Sequence, residues 1–386
     1  MRVAFAGGGT GGHIYPALAI DEALRRDLEA KGERYEARFF GTRRGLEREL
    51  LDDRIPLVLV PSRPLSRKLG ASLASTVAAN AAGIAVASGA LAAFRPDVVI
   101  ATGGYVAFPV TFAAWLLRTG RVIDPVLGML EINALPGLTN RLLAPLVDEV
   151  WGTYAQSHTT FRRKYVLTGT PTRASLRRSI APETARVALG LNPAKTTIVV
   201  MGGSQGARSI NEATTALVTR RTLPATWQLL HVCGRRDYEY MRAEQRVRPG
   251  ENDVRLIEYL DDPAPAYAAA DIVVSRAGAS TLAELAVTAT PALLVPYPRA
   301  AEDHQRLNAQ AFARNGAAII VEDDELSGDT LWWRLVEILE PQRLAAMRRA
   351  AAELRPSDAA GAIVRRIAAL RTLRVDGVEH AKSTAR

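Results

Sequence analysis

The sequence predicts an α/β protein of two similar Rossmann-like lobes facing across a cleft, each lobe a mostly parallel sheet with helices on both faces. Three observations predict it. Short apolar runs bounded by glycine or proline alternate with helical patterns along most of the chain. The order strand, glycine loop, helix that opens the chain restarts at residues 196–208. With 386 residues, of which 48% are hydrophobic and 23% charged, the chain can bury two separate cores.

The first lobe, residues 1–165, opens with a strand from Val3 to Ala6 that empties into Gly7-Gly8-Gly9-Thr10-Gly11-Gly12-His13 and then a helix. Glycines let backbone approach a ligand closely, and the free N–H groups and positive dipole end of a helix attract anionic oxygen. Gly7, Gly9 and Gly12 also satisfy a loose dinucleotide pattern. The second strand, Glu36 to Phe40, argues against that reading, because it ends in Gly41-Thr42-Arg43-Arg44 without an acid for a ribose. Strands follow at Leu57 to Val60, Val98 to Ala101, Val126 to Leu130 and Val147 to Thr153.

Between the third and fourth strands, residues 69–94 carry no charge and are flanked by Arg63, Arg67, Lys68 and Arg95. The length would span a bilayer, but alanine, serine, glycine and Asn80 make insertion poor. A close-packed helix on the sheet is expected, with a helix lying on an anionic membrane surface as the second reading.

A basic stretch holding Arg162, Arg163, Lys164, Arg173, Arg177 and Arg178 around Gly169-Thr170-Pro171 reads as the connection between lobes. The second lobe, residues 166–340, restarts with a strand from Thr196 to Met201 running into Gly202-Gly203-Ser204-Gln205-Gly206-Ala207-Arg208. There Ser204 and Arg208 would add a hydroxyl and a cation to helix-start amides, or Ser204 would merely cap the helix. Strands at Gln228 to Val232, Val254 to Glu258, Ile272 to Ser275, Ala292 to Val295 and Ala318 to Val321 complete the second sheet. A third strand-loop-helix turn runs from Arg276 to Glu284. Thr281-Leu282-Ala283-Glu284 fits a capping box, and the same carboxylate would serve to grip a ribose diol. Residues 341–372 read as C-terminal helices, broken at Pro341 and Pro356 and packing back toward the first lobe, and 373–386 as a polar tail.

A net charge of +9 favours phosphates and anionic lipid heads. Nucleic acid is not expected, since there is no RNA-binding signature or zinc-ligand spacing and only 6% of residues are aromatic. Cys233 alone forms no internal disulfide, which suits a reducing cytoplasm, and the N-terminus lacks signal-peptide character. No D-x-D sequence occurs, so neither a catalytic metal nor a cofactor is predicted.

Six segments then carry a family resemblance: Gly8 to His13, Gly103-Gly104-Tyr105-Val106, Asn133 to Arg141, Gly202 to Arg208, Arg276 to Glu284 and His304 to Ala309. In this order they resemble the MurG-type transferases of glycosyltransferase family 28. These are UDP-N-acetylglucosamine–N-acetylmuramyl-(pentapeptide) pyrophosphoryl-undecaprenol N-acetylglucosaminyltransferases. The resemblance implies a GT-B fold that makes lipid II from UDP-N-acetylglucosamine and lipid I, peripherally bound at the cytoplasmic face of the plasma membrane. It also implies donor contacts at Thr10, Gly11, Gly12, Asn133, Arg173, Ser204, Leu260, Ala279, Ser280, Thr281, Leu282, Ala283, Glu284 and Gln305. Glu284 would hold the ribose and Leu260 lie beside the uracil. Asn133 and Gln305 would read the sugar hydroxyls, and Ser204 would hold the diphosphate. The chain departs from the family at Leu130-Glu131-Ile132-Asn133, where relatives have His-Glu-Gln-Asn, and at Gly169-Thr170-Pro171-Thr172-Arg173, where they have Gly-Asn-Pro-Val-Arg.

The residue types suit that chemistry. Inverting transfer needs a base for the acceptor hydroxyl while UDP departs, and His13 is the expected base. The dipole at a helix start disfavours the imidazolium, and helix starts stabilise the leaving diphosphate. His158, His231, His304 and His380 are expected at surface or structural positions. A related transferase with another lipid acceptor, a UDP-N-acetylglucosamine 2-epimerase and a UDP-sugar-binding protein without turnover remain the alternatives.

Overall fold

The computed structural model describes residues 1–43, 46–51, 54–64, 71–203, 206–245, 253–300 and 303–384. They form two units, one of Met1–Thr172 with Ser357–Arg386 and one of Arg173–Pro356.

In the first unit the chain runs β1 (Arg2–Gly7), α1 (Gly11–Ala30), β2 (Glu36–Gly41), α2 (Glu47–Leu51), β3 (Leu57–Leu59), α3 (Ala71–Phe94), β4 (Val98–Gly103) and α4 (Ala107–Thr119). It continues as β5 (Val126–Glu131), α5 (Leu138–Leu143), β6 (Glu149–Gly152), α6 (His158–Phe161) and β7 (Tyr165–Leu167). The strands form one parallel sheet in the order β3-β2-β1-β4-β5-β6-β7. Val3, Ala4, Phe5 and Ala6 are all fully buried, as a central parallel strand covered on both faces requires. The edge strand β7 lies inside the basic stretch read from the sequence as a connection. Three residues flanked by Lys164 and Thr168 carry too little apolar signal to be read as a strand.

The second unit runs α7 (Pro182–Ala188), β8 (Thr196–Met201), α8 (Arg208–Arg220), β9 (Trp227–Val232), α9 (Tyr238–Glu244), β10 (Val254–Ile257) and α10 (Ala264–Ala269). Then come β11 (Ile272–Ser275), α11 (Ala279–Thr288), β12 (Ala292–Leu294), α12 (His304–Ala313), β13 (Ala318–Ile320), α13 (Gly328–Ile338) and α14 (Pro341–Glu353). Its parallel sheet has the order β10-β9-β8-β11-β12-β13. In both sheets the strand order reverses beside the strand that carries the first glycine loop, between β1 and β4 and between β8 and β11. A reversal of this kind opens a crevice at the carboxyl ends of the strands.

The helices after Pro341 divide. The second unit keeps α14, whereas α15 (Ala359–Thr384) belongs to the first unit, where it packs on α1. Arg366 pairs there with the buried Glu149, and Arg374 with Asp148 at 2.9 Å. The polar tail read from the sequence is therefore helical through Thr384.

Helix α3 packs one face on α4, where Ala87, Leu91 and Phe94 are buried and Asn80 donates to Thr76 O at 2.9 Å. Its other face is open: Val77 is 59% and Val86 42% exposed. Residues Ala74–Phe94 are long and apolar enough to cross a membrane by length and composition, with 28% of that stretch buried. The expected close-packed helix is thus covered on one side only.

Candidate active site

Loops after β1, β4 and β5 gather the first set of expected residues at the carboxyl edge of the first sheet. Gly9 turns the chain with φ +89°, Thr10 stands exposed before the helix, and Gly11 and Gly12 begin α1. The loop amides are not all free as the sequence suggests. Gly9 N donates to Glu47 Oε1 at 3.1 Å, and the same oxygen accepts from Thr42 N at 3.0 Å and Thr42 Oγ1 at 3.1 Å. Glu47 is fully buried, so a carboxylate braces the glycine loop from behind. Nothing in the glycine pattern itself reveals it.

His13 is the third residue of α1 and half-buried. Its Nδ1 lies 3.2 Å from Thr102 O. A carbonyl only accepts, so Nδ1 carries the proton and the lone pair of the neutral ring sits on Nε2. The ring rests on Gly103, whose φ is +114° and where a Cβ would fall 2.3 Å from Nδ1. Gly103 is therefore a seat for the imidazole, while Gly104 admits the Gly8 backbone.

After β5, the buried Glu131 organises the turn that carries Asn133. Its Oε1 accepts from Asn133 N at 3.0 Å and Asn133 Nδ2 at 3.4 Å, while Oε2 accepts from Gly137 N at 3.0 Å and Asn140 Nδ2 at 2.9 Å. Burial pushes the Glu131 carboxyl above its usual range, and these hydrogen bonds pull it back in part. The apolar departures at Leu130 and Ile132 are buried. Thr170, the other departure, is buried with its Oγ1 2.5 Å from Thr153 Oγ1.

In the second unit, Ser204 and Gln205 lie outside the described residues. The loop around them has φ +89° at Gly203 and +73° at Gly206. Arg208, expected as a phosphate cation, reaches Glu212 Oε1 at 2.5 Å along α8 and stacks 3.9 Å over the Tyr240 ring. An intrahelical carboxylate four residues on lies within reach of the guanidinium.

The turn into α11 overturns the capping-box reading of Glu284. The helix starts at Ala279 with Gly278 as its N-cap, so Glu284 is the sixth helical residue and cannot reach back to Thr281 N. Its Oε2 instead accepts from Tyr267 Oη at 2.8 Å. Burial raises the Glu284 carboxyl, the nearby Arg173 charge and the Tyr267 hydrogen bond lower it, and Asp262 adds to the rise. Arg173 is held by a 2.5 Å hydrogen bond from Nη1 to Asp261 O. Leu260, just before it, packs half-buried on the unit's core. Ala279, Ser280 and Thr281 are half-buried, whereas Leu282 and Ala283 are buried, Leu282 within the core. The Leu282 side chain is thus a packing residue and only its backbone borders the turn.

Gln305, second in α12, accepts from Tyr297 N through Oε1 at 3.0 Å. Behind these loops Arg276 donates to Asp323 Oδ1 at 2.5 Å, Val295 O at 3.2 Å and Ser209 Oγ at 2.8 Å. It ties the carboxyl ends of β11, β12 and β13 to the first turn of α8. His231 is structural, as expected: it is fully buried, with Nε2 3.0 Å from Asn211 Oδ1 and Nδ1 2.6 Å from Gln245 Nε2.

Residues 3–151 match the Glycosyltransferase family 28 N-terminal domain and residues 197–363 the family's C-terminal domain. The chain is 40% identical over 372 residues to a protein of Moorella thermoacetica, covering 94% of this chain and 97% of the relative. It is 38% identical over 375 residues to a protein of Desulfitobacterium hafniense, covering 94% and 98%. Both relatives are named UDP-N-acetylglucosamine--N-acetylmuramyl-(pentapeptide) pyrophosphoryl-undecaprenol N-acetylglucosamine transferase. Among solved structures, Acinetobacter baumannii MurG superposes with a TM-score of 0.71 at 27% identity, over 95% of this chain and 98% of that one. The UDP-GlcNAc 2-epimerase of Neisseria meningitidis reaches 0.63 at 14% identity over 95% and 99%, a likeness of fold alone.

Proposed function

The chain belongs to glycosyltransferase family 28, with a GT-B fold, and from that premise we propose the following reaction and site. It transfers N-acetylglucosamine with inversion from UDP-N-acetylglucosamine to the MurNAc-pentapeptide of undecaprenyl-pyrophosphoryl lipid I, forming lipid II. The observation that carries this is full-length similarity, 35% to 40%, to transferases named for that reaction.

His13 acts as general base. With Nδ1–H held on Thr102 O, Nε2 takes the proton from the acceptor hydroxyl as that oxygen attacks the anomeric carbon and UDP leaves. Donor contacts come from Thr10, Gly11, Gly12, Asn133, Arg173, Ser204, Leu260, the Ala279 to Glu284 turn and Gln305. Glu284 accepts from the ribose diol, and Tyr267 with the Arg173 charge keeps it anionic against the pull of burial. Leu260 borders the uracil, Ser204 and the helix start of α8 hold the diphosphate, and Asn133 and Gln305 read the sugar hydroxyls. The open apolar face of α3 rests on an anionic membrane surface at the cytoplasmic face, where lipid I is presented.

The test is incubation of the purified protein with UDP-N-acetylglucosamine, with and without a lipid I analogue, following UDP release and products by mass spectrometry. A disaccharide-lipid formed only with acceptor is expected. Conversion of the donor without acceptor would establish an epimerase instead, and no turnover in either tube would mean a different acceptor or a binding protein.

A further inference from the structure

The amino-terminal end of the second unit's sheet carries a cavity that the transfer reaction does not use. It measures about 480 Å³, inside the range of small-molecule clefts, roughly 300–1,000 Å³. Asp271 and Pro291 line it directly before β11 and β12, so it opens at the opposite end of those strands from the Gly278 and Gln305 loops.

Arg178, Arg186, Arg348 and Arg355 face this volume against a single carboxylate, Asp271, which leaves a net charge of +3. Asp271 is already saturated. Its Oδ2 accepts from Thr197 N at 2.6 Å and Arg186 Nη2 at 3.0 Å, and Oδ1 accepts from Arg348. Arg186 is committed as well, donating to Ala269 O at 3.1 Å and Pro193 O at 2.9 Å. Among the described residues Arg355 donates only from Nε, to Val287 O at 2.8 Å. The Arg178 side chain has no hydrogen bond or ion pair among the described residues. Guanidinium donors are therefore left over in a concave, partly enclosed space, where their mutual repulsion is relieved by a counter-anion.

We propose that this cavity binds a small phosphorylated anion carrying at least two negative charges. Planar arginine forks meet phosphate oxygens two at a time, and the Ser179 hydroxyl on the cavity wall adds a neutral donor. A single monocarboxylate would leave most of the charge uncompensated. A partly enclosed volume of this size suits a small molecule better than a macromolecular surface. Tyr267, which holds Glu284, also borders the cavity, but neither Arg178 nor Arg355 belongs to the donor contacts proposed above, so variants at those two arginines test this site separately from that reading.

The experiment is calorimetric titration of the full chain with inorganic pyrophosphate at matched ionic strength, alone and with saturating UDP. Binding that persists under UDP is expected, weakened about threefold in Arg178→Ala and at least tenfold when Arg355→Ala is added. UDP affinity should stay unchanged in both variants, which also shows that they fold. Absence of pyrophosphate binding, its loss under UDP, or equal affinity in Arg178→Ala, the variant of an exposed and unpaired side chain, would each overturn the site.

Discussion

The Tyr267 hydroxyl donates to Glu284 Oε2 across 2.8 Å, joining α10 to α11 beneath the third loop. Tyr267 is 3% exposed, so its oxygen has no water to trade for this bond. The bond fixes one carboxylate oxygen and leaves Glu284 Oε1 and a lone pair of Oε2 to meet a diol. Tyr267→Phe should therefore raise KM for UDP-N-acetylglucosamine about tenfold, roughly 1.4 kcal/mol, with kcat little changed. Steady-state kinetics checks it, and a fall in kcat at constant KM would argue against the positioning role.

Because burial raises the Glu284 carboxyl, its anionic form is lost on acidification earlier than for an ordinary carboxylate. Donor affinity should weaken as pH falls toward that raised value. Glu284→Gln should bind donor weakly and lose this acid limb. A pH series of UDP titrations on both proteins reads the difference.

His13→Ala should leave UDP-sugar binding nearly intact while lowering kcat by about 10²–10⁴. Gly103→Ala offers an independent probe of the same ring. A Cβ there would meet Nδ1 at 2.3 Å on a backbone with φ +114°, displacing the imidazole from Thr102 O. Reduced kcat in both variants with retained donor binding is expected, and undiminished turnover in His13→Ala would end the general-base assignment.

Burial lowers the His231 pKa to about 4 from its ordinary 6.5, while the Gln245 contact raises it slightly. The folded state thus binds fewer protons than the unfolded chain between those values. Stability should be full above pH 6.5 and decline toward pH 4, by up to about 3 kcal/mol. Urea unfolding across this window tests it, with His231→Gln expected to flatten the slope.

Val77 and Val86 stand on the open face of α3. A Val77→Asp, Val86→Asp variant places two anions there without disturbing the buried Ala87, Leu91 and Phe94. Flotation with anionic vesicles should fall several-fold, while turnover of a short-chain, water-soluble acceptor stays unchanged. Equal flotation of the variant would remove α3 from the membrane contact.

What the sequence by itself determined is the part written in local patterns. Apolar runs buried on both faces specify parallel strands, glycine loops mark where those strands end, and Pro341 and Pro356 break the C-terminal helices. The strand order reversals, the edge strand β7 and the return of α15 to the first unit are nonlocal, decided by pairing and packing between segments far apart in the chain. The same division runs through the candidate site. His13 is legible from its loop, but its tautomer depends on Thr102 O, 89 residues away, and its seat on Gly103. Glu284 fits a local capping pattern that the tertiary structure rejects, because Gly278 starts the helix earlier and Tyr267, 17 residues upstream, supplies a buried hydroxyl. Glu47 carries no motif, and the run around Glu131 does not say what its carboxylate holds, since bracing a loop from behind needs only a buried carboxylate brought within reach by the fold. Spacing encodes what neighbours along the chain can do, and the partners that set protonation and orientation are chosen only when the core closes.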